Sequence, residues 1–465
     1  MVRIPRLLLP GLLAALLGAW TVVPSAAAWA APATVLPAAA VATAPPAAAV
    51  AAAQYGAGWL ARLITATGGY VPSDPTKPTT SAPDPANTAN AILALHAAGV
   101  GAAAATAALS WLERNYSGYV HTGGADVPGA LATLILVAHT SGVSPTAFGP
   151  PGATTNLVAR LLATQRTTGT DAGLFGSQSP TYDGAFRQGL ALLALSAVGR
   201  QNRLAVRWLT TQQCADGGWT AYRASTTAPC PAPNPATFSG PDTNSTSLAW
   251  QGLLAEGAAP TTSPLPFLAG AQSSDGGWAY IGTPTTPSDP NSTALVIQAL
   301  LAAGQNPTSS PWLRGGGTPY DALLRFALGC AAPAPDRGAF YFNTGDGTTK
   351  PNVLATVQAV PAAAGVHLPL APSTPSTAVP VVPCAAPTPT PTPTASGPAG
   401  PSPSSSASGQ PTAPASSAAA AASQLPDTGP HTPLPLPVLA AIGALLVLGG
   451  GGLLVATRPR GRRAR

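Results

Sequence analysis

Residues able to do chemistry are sparse in this sequence, and most of them occur where long apolar segments begin. The 465 residues include 15 Asp and Glu, five His and four Cys. The densest polar cluster places Arg187 one helical turn after Asp183, an arrangement that could bind a polar ligand or form an ion pair inside the core. Glutamines also occur in apolar segments, where a wholly apolar core would not need them. The candidate ligand-binding residues are Tyr182, Asp183, Arg187, Gln188, Gln251 and Gln298.

A set of aspartates at the start of apolar segments could form a ring of carboxylates at one end of a helical bundle. These residues are Asp84, Asp126, Asp183, Asp242 and Asp289. A glycoside hydrolase needs two such carboxylates at a defined separation. Aspartate is also a preferred helix N-cap, because its side chain accepts a hydrogen bond from a free N–H of the first turn. Capping and catalysis are therefore the two interpretations of this set, and capping is favoured.

Other catalytic chemistry is not indicated by the sequence. No two acidic residues lie within four positions of one another, so paired carboxylates for proton transfer or magnesium are not found close in sequence. The five histidines are scattered singly, and no Ser/His/Asp or Cys/His set is visible. We predict no metal site and no cofactor. A non-catalytic chain is favoured, with an enzyme as the alternative.

The formal net charge of +6 does not indicate a nucleic-acid partner. Seven of the 21 basic residues lie in the first six or the last eight positions, whereas all 15 acidic residues lie between those ends. A surface that attracts phosphates would need its positive charge in the folded part of the chain. We therefore expect no nucleic-acid binding.

The heptad Gln-x-x-Asp-Gly-Gly-Trp occurs twice, at 213–219 and 272–278, with weaker copies at 171–175 and 336–340. Glycine does not suit the interior of a helix, so each copy marks a junction. The glutamine can reach helix-terminal backbone groups, the aspartate can accept from turn N–H groups, and glycine permits a tight turn. The tryptophan would fill the gap between outer helices. The structural residues are Gln213, Asp216, Gly217, Gly218 and Trp219, and Gln272, Asp275, Gly276, Gly277 and Trp278.

The heptads belong to a longer repeat whose elements would position these side chains. Six copies of one segment begin with or near a capping residue, end in glycine and are apolar on all sides, which is typical of a buried helix. They occupy 84–99, 126–142, 183–199, 242–257, 289–304 and 351–365. Amphipathic segments typical of surface helices alternate with them. Those segments lie around 54–66, 105–116, 154–166, 203–213, 264–272 and 319–329.

Six buried and six surface helices in alternation predict an all-α fold over residues 54–370. The predicted arrangement is an (α/α)6 toroid, in which an outer ring of helices surrounds an inner one. A linear helical solenoid is the alternative. It would leave the inner helices half exposed, and they are too apolar for that.

At the heptads, the chain resembles the prenyltransferase and squalene-oxidase repeat family, whose QW motif has the same core. The resemblance covers about 54–370. It implies the toroid shared by triterpene cyclases, protein prenyltransferase β-subunits, complement thioester domains and vitamin B12 carriers. Fold resemblance does not carry function, so each activity is tested on its own residues.

The sequence lacks the residues with which members of that family act. It contains no Asp-x-Asp-Asp acid of the triterpene cyclases, no Asp/Cys/His zinc site and no Gly-Cys-Gly-Glu-Gln thioester. The B12 carriers close over their ligand with a second, β-rich domain. A stalk takes the place of that domain here, which argues against a corrinoid.

The sequence outside the repeat domain predicts export and a stalk. Residues 1–30 have the basic start, apolar run and small residues of a secretory signal peptide, with a retained anchor helix as the alternative. Residues 31–53 form an Ala/Pro-rich linker. Residues 371–424 are rich in Pro, Thr and Ser, a composition typical of a disordered and extended stalk.

The last segment, 425–465, resembles the cell-wall sorting signal of Gram-positive surface proteins. Its LPxTG motif consists of Leu425, Pro426, Asp427, Thr428 and Gly429. The 20 uncharged residues 438–457 could span a bilayer as a helix, and an arginine-rich tail follows them. The resemblance implies that a sortase cleaves after Thr428 and joins it to peptidoglycan, so that the membrane helix serves only before sorting. A plain membrane anchor is the alternative.

Export also changes the interpretation of the four cysteines. In an oxidising compartment they favour two disulfides over a metal site. Cys214 and Cys230 would close a short loop around the first heptad, and Cys330 and Cys384 would join the last repeat to the stalk. The sequence alone leaves the two other pairings open.

These observations lead to one principal hypothesis of function and two alternatives. The principal hypothesis is a secreted, cell-wall-anchored protein that displays the toroid as a binding or adhesion module, for an unknown extracellular ligand or a small hydrophobic molecule. The first alternative is an extracellular terpene-cyclase-like or glycan-acting enzyme that uses the inner-helix aspartates. The second is a carrier of a corrinoid or a lipid.

Overall fold

The computed structural model describes residues 44–179, 182–342 and 347–384. Within those ranges the chain contains thirteen α-helices, two short 3₁₀ helices and one sheet of two short strands. The prediction of an all-α fold is therefore confirmed. The predicted signal peptide (1–30) and sorting signal (425–465) lie outside the described ranges. In the part of the chain that the structure describes, no helix is long and apolar enough to cross a membrane.

Two alternating sets account for twelve of the thirteen α-helices in the described ranges. The buried set is α2 (Pro85–Ala98), α5 (Pro128–Thr140), α7 (Ala185–Ala197), α9 (Thr243–Ala255), α11 (Pro290–Ala302) and α13 (Val353–Ala363). The second set is α1 (Ala47–Thr67), α3 (Ala102–Asn115), α6 (Leu157–Ala163), α8 (Arg203–Thr211), α10 (Leu265–Ala271) and α12 (Pro319–Leu324). The one-turn helix α4 (Ser117–Val120) leads into β1 (His121–Thr122) and β2 (Ala125–Asp126), which pair antiparallel. The 3₁₀ helices are Ser310–Trp312 and Ala334–Asp336.

The ends of the buried helices follow from the residues predicted to cap them. Asp84, Asp242, Asp289 and Asn352 each accept a hydrogen bond from a backbone N–H of the first turn. Every buried helix is followed by a glycine in the left-handed conformation, with φ between 66° and 73°, which lets the chain turn without a Cβ clash. These glycines are Gly99, Gly142, Gly199, Gly257, Gly304 and Gly365.

The buried helices pack against one another in chain order. Helix α2 contacts α5, α5 contacts α7, and the sequence continues through α9 and α11 to α13. Helix α13 also contacts α2, so the chain of contacts returns to its first member. Five helices of the second set pack against this core: α3 lies against α2, α6 against α5, α8 against α7 and α12 against α11, while α1 contacts both α2 and α13.

Helices α7 and α9 approach closely enough for their backbones to come into contact. A Cβ atom on Gly189 would overlap the carbonyl group of Leu248, and one on Gly252 would come within 2.8 Å of the carbonyl oxygen of Gly189. Both glycines therefore permit backbone contact between the two helices, where any side chain would separate them.

The helical body begins earlier and ends later than the sequence boundaries of 54 and 370. Helix α1 starts at Ala47, inside the predicted linker, and its residues Ala49 and Ala53 are fully buried on the face that packs against the body. Residues 371–384, predicted as the start of the stalk, lie against the body, and we call this segment the strap. Ser376 donates its N–H to the carbonyl of Gly99 at 2.9 Å.

Two disulfides are present, with the pairing favoured from the sequence. Cys214–Cys230 closes a loop that contains most of the first heptad, and Cys330–Cys384 fixes the end of the strap to the loop before α13. The described residues include no free cysteine. Two disulfides are consistent with an extracellular protein.

Candidate functional site

The polar cluster predicted around α7 serves mainly to hold the preceding loop. The side chain of Gln188 accepts a hydrogen bond from the N–H of Phe175 at 3.0 Å and donates one to the carbonyl of Gly173 at 2.8 Å. It is almost completely buried. Its amide group is therefore used by the protein backbone.

Asp183 and Arg187 form the ion pair inside the core that was the alternative to a ligand site. The carboxylate of Asp183 is fully buried, accepts from the N–H of Ser177 at 2.8 Å, and lies 3.2 Å from a guanidinium nitrogen of Arg187. Tyr182, by contrast, is 76% exposed. The four clustered candidates thus do not converge on one cavity.

Three of the five inner-helix aspartates cap helices, and two do not. The prediction that Asp126 and Asp183 cap helices was wrong. The residues at the N-cap positions of α5 and α7 are Val127 and Gly184. Asp126 instead binds Arg160, with N–O distances of 2.6 and 2.9 Å, and accepts a 2.8 Å hydrogen bond from His121. The hydrogen bond from Arg160 lowers the pKa of Asp126.

Asp242, the N-cap of α9, is a buried acid that holds its proton unusually tightly. It is 1% exposed, and burial raises its pKa to about 7, although the N–H of Ser245 donates to its Oδ1 at 2.6 Å. The Tyr280 hydroxyl approaches this carboxylate. Even so, Oδ2 has no partner with hydrogen-bond geometry among the described residues. At neutral pH such a carboxyl can both donate and accept a hydrogen bond.

Asp289, the N-cap of α11, is a second buried acid beside the same tyrosine. Burial raises its pKa to about 6, and the backbone N–H groups of Ser292, Asn291 and Tyr280 oppose that rise. Tyr280 therefore contacts Asp242 through its hydroxyl and Asp289 through its backbone. Burial, followed by the negative charge of Asp242, raises the pKa of Tyr280 itself, so the phenol stays protonated.

A cavity of about 390 Å³ lies directly over Asp242 and Tyr280. We call it the α9 cavity. Its other lining residues come from the segment between the first heptad and α9: residues 220–225, 228–231 and 238–240. The hydroxyl oxygen of Thr220 lies in this wall, is buried, and has no hydrogen-bond partner among the described residues.

The segment that forms the wall of the α9 cavity is fixed at two points. The Cys214–Cys230 disulfide closes its first half. The guanidinium of Arg223 donates to the carbonyls of Gln213 and Ala228, both at 2.7 Å, and to that of Thr226 at 3.1 Å. Arg223 is thus an anchor of the wall, and its charge is satisfied by carbonyl groups.

Phe238 is the most unusual residue of the wall. Its φ of 50° places a bulky side chain in the left-handed region, which is rare and strained for any residue but glycine. The side chain is 44% exposed, and its ring centroid lies 6.4 Å from that of Tyr280. Strained residues of this kind cluster at active sites, ligand sites and switch regions.

The two glutamines predicted as ligand-binding residues are buried but do not line the α9 cavity. Gln251 donates to the Ser247 carbonyl of its own helix at 3.3 Å, and its Oε1 has no partner among the described residues. Gln298 is buried at the equivalent position of α11. Ser247 and Asn244 also have buried polar atoms without described partners, on the same stripe of α9 as Gln251.

The two heptads share one set of contacts made by the glutamine amide, the aspartate and the tryptophan indole, and these contacts are structural. In the first, the amide of Gln213 donates to the carbonyls of Gly217 and Thr262, at 2.9 and 2.6 Å. Asp216 accepts from the N–H of Gly218 at 2.9 Å, and the indole of Trp219 donates to the carbonyl of Leu209 at 2.8 Å.

In the second heptad, Gln272 donates to the carbonyls of Gly276 and Trp312, at 2.9 and 2.8 Å. Asp275 accepts from the N–H of Gly277 at 3.1 Å, and Trp278 donates to the carbonyl of Leu268 at 2.7 Å. The first heptad thus joins the end of α8 to the loop before α10, and the second joins the end of α10 to the 3₁₀ helix Ser310–Trp312.

The residues that sequence reasoning missed are Phe238, Tyr280 and Thr220. One signal could have indicated them: 23 positions separate the heptad tryptophan Trp219 from its helix cap Asp242, whereas 11 separate Trp278 from Asp289. The insertion that this difference reveals is the wall of the α9 cavity. An insertion in one repeat of an otherwise regular array is often the binding face.

No group of three or more His, Cys, Asp or Glu side chains within the described ranges could hold a metal ion. No protein-family model matches the chain, and no curated protein sequence is significantly similar to it. The family resemblance at the heptads therefore remains an expectation, and the function must be argued from the site.

Proposed function

We propose that this chain is a cell-wall-anchored surface protein whose helical domain, an (α/α)6 toroid, binds an extracellular ligand in the α9 cavity. The observation that carries the proposal is the α9 cavity itself. It combines a strained, exposed aromatic residue (Phe238) with two buried polar atoms, on Asp242 and Thr220, for which the described residues supply no partner with hydrogen-bond geometry. Apolar walls with a few convergent polar groups are the usual composition of a ligand site.

The toroid is supported by the packing of the buried helices. Each contacts the next, and α13 contacts α2, as an inner ring requires. Five helices of the second set pack against members of that core. An open solenoid would not bring its last helix against its first buried one.

The anchoring part of the proposal rests on the sequence. The motif Leu425–Gly429, the apolar span 438–457 and the arginine tail occur in the order of a sorting signal. Sortase and peptidoglycan, the latter joined through Thr428, are the proposed partners. The two disulfides agree with an extracellular location. The proposed precursor contacts the membrane only through its C-terminal helix.

A glycan-acting enzyme that uses the same cavity is the second candidate. It is favoured by Asp242 and Asp289, which both contact Tyr280 and both have raised pKa values. Two-carboxylate hydrolysis needs both acids at the substrate. Asp289 does not line the α9 cavity, and its carboxylate oxygens accept from the N–H of Ser292 at 2.7 Å and from its hydroxyl at 2.8 Å. Binding without turnover is therefore the better-supported function.

The test uses the full chain in its host. Muramidase digestion of washed walls should release the wild-type chain, whereas Thr428→Ala should remain in the membrane fraction, because the bond to peptidoglycan forms at that residue. Native mass spectrometry of the released chain should then show a bound molecule that is missing from Phe238→Ala. Complete extraction of the wild type by detergent would contradict the anchoring. A chain that carries no bound molecule would contradict the binding function.

A further inference from the structure

We infer that the α9 cavity binds an uncharged sugar unit, which stacks on Phe238 and is hydrogen-bonded by Asp242 and Thr220. This inference rests on the proposed binding function and specifies its ligand class.

The aromatic part of the cavity suits a flat ring that is apolar on one face. The rings of Phe238 and Tyr280 lie 6.4 Å apart at an angle of 40° and line the same cavity. Phe238 keeps a conformation that costs the backbone energy, and its side chain stays partly exposed. An aromatic ring held open in this way presents a face to a ligand, as the rigid aromatic anchors of binding sites do.

The polar atoms of the cavity require hydrogen-bond partners. The hydroxyl of Thr220 is buried and has no hydrogen-bond partner among the described residues. Oδ2 of Asp242 is also buried and has no partner with full hydrogen-bond geometry there, although the Tyr280 hydroxyl interacts with the same carboxylate. An unpaired buried polar atom is costly, so a ligand that supplies hydroxyl groups would stabilise the site. Hydroxyl groups on the rim of a ring with an apolar face are the defining chemistry of a sugar.

The charge of the cavity selects against ionised ligands. Among its lining residues only Asp242 and Arg223 are of charged types. The guanidinium of Arg223 is bound by backbone carbonyls at 2.7–3.1 Å, which leaves it poorly placed to bind a carboxylate or a phosphate. The fully buried Asp242 would repel an anion if it ionised. An uncharged ligand meets neither obstacle.

The size of the cavity also limits the ligand. A volume of about 390 Å³ is near the lower end of the range of roughly 300–1,000 Å³ in which small-molecule sites fall. It is suited to one or two sugar rings and not to a corrinoid. Its polar floor is poorly suited to the tail of a lipid.

The inference is tested with the full-length chain, purified in mild detergent and presented to immobilised probes. The probes are neutral oligosaccharides of glucose, galactose, mannose and N-acetylglucosamine, sialylated and sulfated oligosaccharides, and a long-chain fatty acid. We expect binding to a neutral probe. Phe238→Ala should weaken it about tenfold, as truncating an aromatic anchor does. Thr220→Val, which removes one hydrogen bond, should weaken it about fivefold.

The matched control is Tyr182→Ala. Tyr182 is also an exposed aromatic residue with positive φ, at 52°, but it does not line the α9 cavity, so its removal should leave affinity unchanged. Thermal unfolding of each variant separates lost binding from lost folding. A preference for sialylated or sulfated probes, or equal binding by Phe238→Ala, would overturn the sugar assignment. Binding of the fatty acid alone would overturn the sugar assignment but would still support the proposed binding function. Failure with every probe, together with no co-purifying molecule, would overturn both proposals.

Discussion

Asp242 shows how one residue type acquires different chemistry at equivalent positions. Asp242 and Asp126 both stand at the entry to a buried helix, yet burial raises the pKa of the first and Arg160 lowers that of the second. The difference comes from what surrounds each carboxylate. The wall of the α9 cavity covers Asp242, whereas Asp126 is partly exposed beside two basic side chains.

Asp242→Asn should flatten the pH dependence of stability. Because the folded protein holds this proton up to about pH 7, whereas an unfolded aspartate loses it near pH 4, wild-type stability falls as the pH rises through that interval. At about 1.4 kcal/mol per pKa unit, the loss is on the order of 4 kcal/mol and is complete above pH 7. Asparagine caps helices as well as aspartate does and carries no proton to lose. The measurement is the free energy of unfolding in urea at pH 5 and pH 8.

Asp126→Asn is the matched control, since the shift in that pKa has the opposite direction. The wild-type contribution of Asp126 is present above the unfolded pKa and is lost as the pH falls. Its removal should therefore cost stability at pH 8 and little at acidic pH. If Asp242→Asn and Asp126→Asn changed the pH dependence in the same direction, the environments described for both carboxylates would be incorrect.

From the sequence we could predict the contacts that these aspartates make with residues close in the chain, but not those with residues far along it. Capping by Asp84, Asp242 and Asp289 depends on the next three residues, and a sequence pattern contains that information. The partner of Asp126 is Arg160, 34 positions away, and the phenol beside Asp242 comes from Tyr280, 38 positions away. Such contacts depend on how helices pack, which no local pattern specifies.

At the scale of the elements, the alternation of two helix types could be predicted from the sequence. The apolar residues of the buried helices have no helical periodicity, whereas those of the surface helices form one stripe. The buried helices contain almost no charged residues, and each is followed by a left-handed glycine, so their number and order follow from the sequence. The glycines inside helices could not be interpreted in the same way. Gly189 and Gly270 are both helical, and only the structure shows that one touches another helix and the other touches nothing.

Gly189→Ala should destabilise the protein, and Gly270→Ala should not. A Cβ at Gly189 would overlap the Leu248 carbonyl, so α7 and α9 would have to separate, at a cost of about 2–3 kcal/mol typical of overpacking. At Gly270, on α10, no atom lies within 4 Å of the added Cβ, and alanine should stabilise the helix by up to about 1 kcal/mol. Urea unfolding of both variants gives the two values. Equal effects would contradict the backbone contact between α7 and α9.

At the scale of the whole molecule, the sequence predicted the helical domain, and ordered residues packed with it extend beyond positions 54 and 370. The start of α1 is rich in alanine and resembles the preceding linker in composition. The strap is rich in proline and resembles the stalk that follows. Each belongs to the body because of contacts with distant residues, such as that of Ser376 with Gly99. Composition cannot report such contacts.

The two disulfides should differ in their contribution to stability. Cys330–Cys384 joins residues 54 positions apart, and Cys214–Cys230 joins residues 16 apart. Closing a longer loop removes more entropy from the unfolded chain. Replacing Cys330 and Cys384 by serine should therefore cost about 4 kcal/mol of stability, and replacing Cys214 and Cys230 about 3 kcal/mol. Urea unfolding of the two double variants tests the order. A larger loss for the Cys214–Cys230 pair would contradict it.

The Cys330–Cys384 bridge also determines how tension would travel through the proposed surface protein. A pull on the wall-anchored end would reach Cys384 and cross the sulfur atoms to Cys330, so residues 371–383 would stay slack. The weak bonds between the strap and Gly99 would then bear no load and could not be peeled apart one by one. A cell held in flow by this molecule would strain a covalent link before it strained the hydrogen bonds of the strap.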